Sequence, residues 1–224
     1  MERVDLRRVQ LCVITDPLLA PGRDHVAVAA AALAGGADMI QLRDKTGSLR
    51  ELLPQARAIQ SLCRDHGAIF IVNDRVDLAL TAGADGAHLG QEDLPAEAAR
   101  RLLGPGRILG VSTHDLAQAQ AAQAIGADYI GFGPIFATGT KTTGYTPRGL
   151  EGLRAIRAAV SLPILAIGGI SLDNAAAVIT AGAAALAVIS AVVAAPDIRA
   201  AAAAFRGRVA PARGSKRSGC LGAP

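Results

Sequence analysis

Ala34-Gly35-Gly36-Ala37-Asp38 runs directly into Met39-Ile40-Gln41-Leu42, and the same phrase returns three times along the chain. Ala82-Gly83-Ala84-Asp85 leads into Gly86-Ala87-His88-Leu89, and Ile125-Gly126-Ala127-Asp128 leads into Tyr129-Ile130-Gly131-Phe132. The last instance is Ala181-Gly182-Ala183-Ala184, followed by Ala185-Leu186-Ala187-Val188. Each places a glycine just after an Ala-rich helical run, where a helix C-terminus prefers one, and then a short apolar strand. The recurrences lie roughly 40 to 55 residues apart, the length of two helix-plus-strand units. Four of them predict eight units.

The segments between complete the count. Short apolar runs bounded by Gly, Pro or Asp at residues 10–15, 69–73, 108–112 and 164–167 read as fully buried parallel strands. Helical runs alternate with strands over 24–34, 49–65, 75–82, 95–103, 114–125, 147–160, 171–181 and 197–205, several opening on Asp, Ser or Pro. Strict strand-then-helix alternation means a parallel sheet. Eight units in about 200 residues favour a closed (β/α)8 TIM barrel over an open doubly wound sheet. One barrel domain over residues 1–205 is expected.

Composition agrees. Of 224 residues, 51% are hydrophobic, 19% charged and 3% aromatic, with no Trp, so the core must be aliphatic. A disordered chain is excluded, and stacking platforms for nucleic-acid bases are not expected. The formal charge of +4 is misleading, because Arg206, Arg208, Arg213, Lys216 and Arg217 exceed it by themselves and leave residues 1–205 at −1. Residues 206–224 therefore read as a basic, disordered, solvated tail rather than as a nucleic-acid arm. Three cysteines, Cys12, Cys63 and Cys220, form no C-x-x-C pair, which fits a reducing, cytoplasmic setting. No secretory leader is expected from the charged N-terminus. The uncharged stretch 175–196 is long enough to span a bilayer but is Ala-rich and broken at Gly182, so it reads as a buried helix, a turn and a buried strand. The sequence does not specify an oligomeric state, and a homo-oligomer is compatible with it.

In such a barrel the active site lies at the C-terminal ends of the strands. The second strand ends Gln41-Leu42-Arg43-Asp44-Lys45, and alternation sends Gln41, Arg43 and Lys45 to one side, a grouping suited to a phosphate ester. The third ends at Asn73-Asp74, either a cap or a rim carboxylate, and the fourth at Gln91-Glu92-Asp93. Two rim carboxylates, Asp74 and Asp93, beside an anion site suit Mg²⁺ held between protein and phosphate. Ser112 ends the fifth strand, whereas Thr113 and His114 read as the start of the next helix. A long loop over 133–144 carries Thr138, Thr140 and Lys141 without forming a P-loop. Gly168-Gly169 after the seventh strand and Ile189-Ser190 after the eighth occupy the common barrel phosphate site. His25, His66 and His88 read as surface or packing residues. Composition and spacing alone stop at a barrel enzyme that joins or processes two phosphorylated small molecules.

The ordered set Gln41-Leu42-Arg43-Asp44-Lys45, Asn73-Asp74-Arg75, His88 through Asp93, Gly110 through His114, Gly133 through Phe136, Thr138 through Lys141 and Ile167 through Ile170 resembles the thiamine-phosphate synthase family, from about Val9 to Ser190. The resemblance implies that hydroxymethylpyrimidine diphosphate loses pyrophosphate and a carboxythiazole or hydroxyethylthiazole phosphate takes the pyrimidine methylene, by a dissociative step that gives thiamine monophosphate. It further implies that Gln41, Arg43, Lys45, Asn73, Ser112 and Lys141 bind the pyrimidine diphosphate, with Lys141, Ser112 and Arg43 as the catalytic set. Asp74 and Asp93 would hold Mg²⁺, and Thr138, Thr140, Gly169, Ile189 and Ser190 the thiazole phosphate. Ala184 stands where the family often has an acid and Ala87 where Val is usual; both read as packing positions. A thiazole tautomerase of the same barrel is the alternative, and a non-catalytic precursor sensor is a more distant one.

Overall fold

The computed structural model describes residues 6–140 and 144–214, so Lys141 and the last ten residues of the chain lie outside the described residues. Eight strands, β1 (Leu11–Thr15), β2 (Met39–Leu42), β3 (Ile69–Asn73), β4 (Gly86–Leu89), β5 (Ile108–Thr113), β6 (Tyr129–Phe132), β7 (Ile164–Ile167) and β8 (Ala185–Val188), pair in parallel in chain order. β8 closes back onto β1, with Cys12 opposite Ala187. The helices are α1 (His25–Ala34), α2 (Leu49–His66), α3 (Val76–Ala82), α4 (Ala96–Leu103), α5 (Leu116–Ala124), α6 (Gly149–Ala159), α7 (Ala175–Thr180), α8 (Ser190–Val193) and α9 (Ile198–Gly214). The expected (β/α)8 barrel is the observed fold.

Alternation along the strands sorts the apolar residues into two cores. Val13, Ile40, Val72, Leu89 and Ile130 pack outward under the helices. Cys12, Ile14, Met39, Ile71, Tyr129 and Leu165 fill the barrel interior, which is a packed core rather than a pore. Ala-rich α1, α5 and α7 offer little side-chain bulk, which suits tight helix-on-strand packing. Among the described residues no helix is long and apolar enough to cross a membrane. The 175–196 stretch folds as α7, a turn at Gly182, β8 and α8.

The repeated phrase has a structural reason. Its left-handed position is a glycine every time: Gly36, Gly83, Gly126 and Gly182 have φ of 91°, 72°, 76° and 120°. Its aspartates then tie the barrel floor. Asp38 accepts from the amides of Gln10 (2.9 Å) and Leu11 (3.0 Å), Asp85 from Phe70 (2.8 Å) and Asp128 from Leu109 (2.8 Å). Each side chain thus satisfies the otherwise unpaired start of the preceding strand, while its own amide donates back to Leu11, Phe70 or Leu109. Arg206 reaches Asp38 (3.1 Å) and Arg100 reaches Asp128 (2.5 Å). At the fourth position Ala184 keeps the backbone bond, to Ile164 (2.8 Å), with no carboxylate.

Two expected boundaries shift. The basic run was expected to leave the fold at residue 206, but α9 continues to Gly214. Val209 is fully buried beside Phe205 and Ala202, and Arg206 also donates to the Gly36 carbonyl (3.1 Å). Those contacts hold the helix past Phe205. The helix expected from residue 171 begins only at Ala175, because Asn174 folds back, accepting from the Ser171 amide (2.9 Å) and donating to the Gly169 carbonyl (3.0 Å).

Candidate functional site

The barrel opens at the C-terminal ends of its strands into a pocket whose deepest residues include Cys12, Ile14, Gln41, His88 and Tyr129. Higher in the wall stand Ser112, Thr138, Thr140, Gly169, Ile189 and Ser190. Seven of the expected site residues therefore share one cavity. The others, Arg43, Lys45, Asn73, Asp74 and Asp93, form the adjoining rim at the ends of β2, β3 and β4. Lys141 falls outside the described residues.

A polar chain crosses the deep part of the pocket. His88 pairs through Nε2 with Ser112 Oγ (2.8 Å) and through Nδ1 with the Tyr129 hydroxyl (3.0 Å), the two rings being stacked 5.4 Å apart. Tyr129 is also hydrogen-bonded to Gln41, and its burial pushes the phenol well above its ordinary range, so it remains neutral. Room for these rings comes from glycines in neighbouring strands: a Cβ at Gly110 would lie 2.1 Å from Tyr129 Cζ, and one at Gly131 3.0 Å from His88 Cε1. Of the two readings of His88, surface or packing, the structure keeps packing, and it adds that the residue lines the pocket. It is buried in the pocket, facing inward from β4. Glycines inside strands, where they weaken a sheet unless something approaches closely, were the available signal.

His114 is likewise not helical. It precedes Asp115, which caps α5 through the Gln118 amide (2.8 Å), and it lines the pocket. Its ring stacks on Tyr145 at 3.7 Å and its Nδ1 pairs with the Gly133 carbonyl (2.6 Å), joining the two ends of the long loop after β6. Of the remaining histidines, His66 is exposed and His25 is buried between Thr15 and Asp44.

The rim is electrostatically poised. Asp74 is the one non-glycine with positive φ among the described residues (64°), held by its amide bond to the His88 carbonyl (2.8 Å). Burial, then the adjacent Asp93 carboxyl, raises its pKa, against the Lys45 ammonium that sits on it. Burial would raise Asp93 too, but hydrogen bonds from Asp74 and from the Gly90 amide (2.7 Å) hold it low. Two carboxyls within hydrogen-bonding reach cannot both ionise cheaply without a cation between them. Among the described residues no group of three or more His, Cys, Asp or Glu side chains gathers, so protein alone offers a divalent ion only this pair. That is the partial, oxygen-only donor set Mg²⁺ accepts when water and phosphate oxygens complete its octahedron. Arg75, next in sequence, is turned away onto Asp77 (2.7 Å).

Across the mouth, the ends of β7 and β8 present backbone rather than charge. Thr140 Oγ1 meets Ser190 Oγ (3.0 Å), binding the β6 loop to the first residue of α8, and the Thr140 amide donates to Thr138 Oγ1 (3.3 Å). Gly169 has φ 65°, and a Cβ there would lie 2.5 Å from the Ala137 carbonyl oxygen. It must be glycine for the loop to pack against β7, in addition to any approach by a ligand.

Comparison with known proteins points one way. A family model described as thiamine monophosphate synthase matches residues 11–192. The thiamine-phosphate synthase of Moorella thermoacetica is 56% identical over 204 residues, covering 91% of this chain and 97% of that protein. The one from Chloroflexus aurantiacus is 53% identical over 89% of this chain and 92% of its own. The solved thiamine phosphate pyrophosphorylase of Pyrococcus furiosus superposes with a TM-score of 0.86 at 42% identity, over 93% of this chain and 99% of that one.

Proposed function

The chain belongs to the thiamine monophosphate synthase family, and is thus a transferase of thiamine biosynthesis; from that premise we propose the reaction its mouth performs. Hydroxymethylpyrimidine diphosphate binds between the deep pocket and the β2–β4 rim. A carboxythiazole or hydroxyethylthiazole phosphate binds against β7 and β8. The C–O bond to the diphosphate breaks, the thiazole nitrogen takes the exposed methylene carbon, and thiamine monophosphate and pyrophosphate leave; from the carboxythiazole the ring carboxyl leaves as carbon dioxide as well. The observation that carries this reading is the division of one mouth into a charged side and a backbone-lined side, which matches a diphosphate and a phosphate monoester.

Each residue then has a task. Gln41, with Tyr129 and His88 behind it, offers the polar deep wall to the aminopyrimidine, whose amino group stabilises the methylene cation. Ser112, fixed by His88, touches the pyrimidine or the departing pyrophosphate. Arg43, Lys45 and Asn73 bind the diphosphate, and Lys141 stabilises the charge that develops on it. Asp74 and Asp93 would hold Mg²⁺, which when bound neutralises diphosphate charge and so favours its departure. Thr138, Thr140, Gly169, Ile189 and Ser190 orient the thiazole phosphate for attack. No general base is required, because the nucleophile is a ring nitrogen. A tautomerase would have no use for the acidic rim and its cations, and the reported relatives are synthases. Cys12 and Cys63, buried and free, support a reducing, cytoplasmic setting.

The test is to mix the protein with both substrates and Mg²⁺, with and without EDTA. Thiamine monophosphate that forms only with metal is the expected result. Isomerisation of carboxythiazole phosphate without coupling would overturn it.

A further inference from the structure

The ends of β1 and β2 carry two polar links on opposite faces of the sheet. Ile14 pairs with Gln41 and Thr15 with Leu42 in the strand register, so the next positions in line are Asp16 and Arg43. Ile14 and Gln41 line the pocket, and alternation carries Asp16 and Arg43 to that same inner face, one layer nearer the mouth. There Arg43 Nη1 donates to Asp16 Oδ2 at 2.6 Å, with 15% and 9% of the two side chains exposed. The other Asp16 oxygen accepts from the Leu18 amide (3.2 Å), which caps the short turn Pro17–Leu19 and locks the carboxylate's orientation. Arg43 Nε is buried and has no hydrogen-bond partner among the described residues.

The outer face holds the frame. Thr15 Oγ1 meets His25 Nδ1 (2.6 Å), His25 Nε2 meets Asp44 Oδ2 (3.1 Å), and the Arg43 amide donates to Thr15 Oγ1 (3.4 Å). Burial works against the Asp44 charge, but the amides of Thr46 and Gly47, with His25 and the Thr46 hydroxyl, hold its pKa far below the usual carboxylate range. Asp44 thus stays an anchored anion. The backbone on either side of the Asp16–Arg43 pair is fixed from behind.

We propose that Asp16 is a positioning residue for the coupling reaction: it holds the Arg43 guanidinium at the mouth, leaving the second terminal nitrogen to take a diphosphate oxygen. A guanidinium held by one locked carboxylate is pre-organised for an anion, so less ordering cost falls on binding. This rests on the reading of Arg43 as part of the diphosphate grip.

The test uses the full chain as wild type, Asp16→Asn, Arg43→Ala and the double variant, with KM measured for each substrate and thermal melts run in parallel. Asn can keep the cap to Leu18 while turning its amide nitrogen, a donor, toward Arg43. Asp16→Asn is expected to raise KM for the pyrimidine diphosphate about tenfold. It should leave KM for the thiazole phosphate within about twofold, and add nothing in the Arg43→Ala background. Equal losses in both backgrounds, or a lowered melting temperature with both KM values raised, would show a structural role and overturn the inference. A silent Arg43→Ala would remove the reading of Arg43 and this inference together, whereas loss in Arg43→Ala alone removes only the inference. If wild type makes no thiamine monophosphate, the proposed reaction fails first. Affinity for inorganic pyrophosphate with Mg²⁺ then carries the same four-protein comparison, with the same outcomes deciding it.

Discussion

The floor and the mouth of this barrel are both ringed with aspartates, yet the two rings do opposite things. On the floor, Asp38, Asp85 and Asp128 each accept from backbone amides at the start of a neighbouring strand, and arginines complete two of them. Their hydrogen-bonding capacity is spent inside the protein. At the mouth, Asp74 and Asp93 face one another, with one backbone in a left-handed conformation and the Lys45 ammonium sitting on Asp74. Satisfied carboxylates hold a fold together; the poised pair at the strand ends is the one we propose to hold a ligand.

The largest expected effect breaks the mouth alone. Asp93→Ala should lower Mg²⁺-dependent turnover by about a hundredfold or more, since one of the two carboxylates proposed to hold the metal goes. Its melting temperature should hardly move, because a rim residue adds little to the core. Steady-state assay beside a thermal melt checks both. The floor should answer in reverse. Asp128→Ala leaves the Leu109 amide without its acceptor and takes the carboxylate from Arg100, which keeps the Gly104, Arg107 and Gly126 carbonyls, and should cost about 2–3 kcal/mol. In calorimetry that is a fall of very roughly 4 to 10 °C, with both KM values retained. Between the rings, Gly110→Ala forces a methyl into the Tyr129 ring and should cost about 1–3 kcal/mol while raising KM for the pyrimidine substrate.

Acid separates two further carboxylates by sign. Asp44 has a lowered pKa, so its contribution to stability is intact above the ordinary carboxylate range and is lost only as the pH falls well below it. Asp85 is raised by burial, against the Phe70 amide and Arg107, so its contribution is present in acid and is lost as the pH rises through the carboxylate range and the raised value. Stability curves of Asp44→Asn and Asp85→Asn against wild type should therefore diverge from it at opposite ends of the acidic range. The smallest effect sharpens the floor. Ala184→Asp would supply the fourth carboxylate, opposite Ile164, and should gain up to about 1 kcal/mol in denaturant unfolding.

How much of this was legible in the chain depends on what repeats. The phrase recurs because the floor needs its glycine four times and uses its aspartate three, and it gave away the strand count, their parallel order and closure. The mouth does not repeat, and there single residues had to be weighed alone. Gln41, Asp74 and Asp93 stood out because alternation or pairing made them unusual. His88 did not, since one histidine in a buried strand looks like packing until Gly110 and Gly131 are seen making room around it. Asp16 hid for a different reason: at the end of the first strand it reads as a turn residue, and only the register shows that it faces Arg43. In α9 the run of arginines masked Ala202, Phe205 and Val209, whose helical spacing carries the packed face past residue 205.

In the proposed reaction one mouth holds two phosphates by two means, a metal-dependent grip at β2–β4 and a backbone cradle at β7–β8. Calorimetric titration of the wild-type protein with inorganic pyrophosphate and, separately, with thiazole phosphate, each with Mg²⁺ and with EDTA, tests it most directly. Pyrophosphate is expected to bind only with Mg²⁺, and thiazole phosphate equally well under both conditions. Pyrophosphate binding that ignores EDTA, or thiazole phosphate binding that requires the metal, would contradict it.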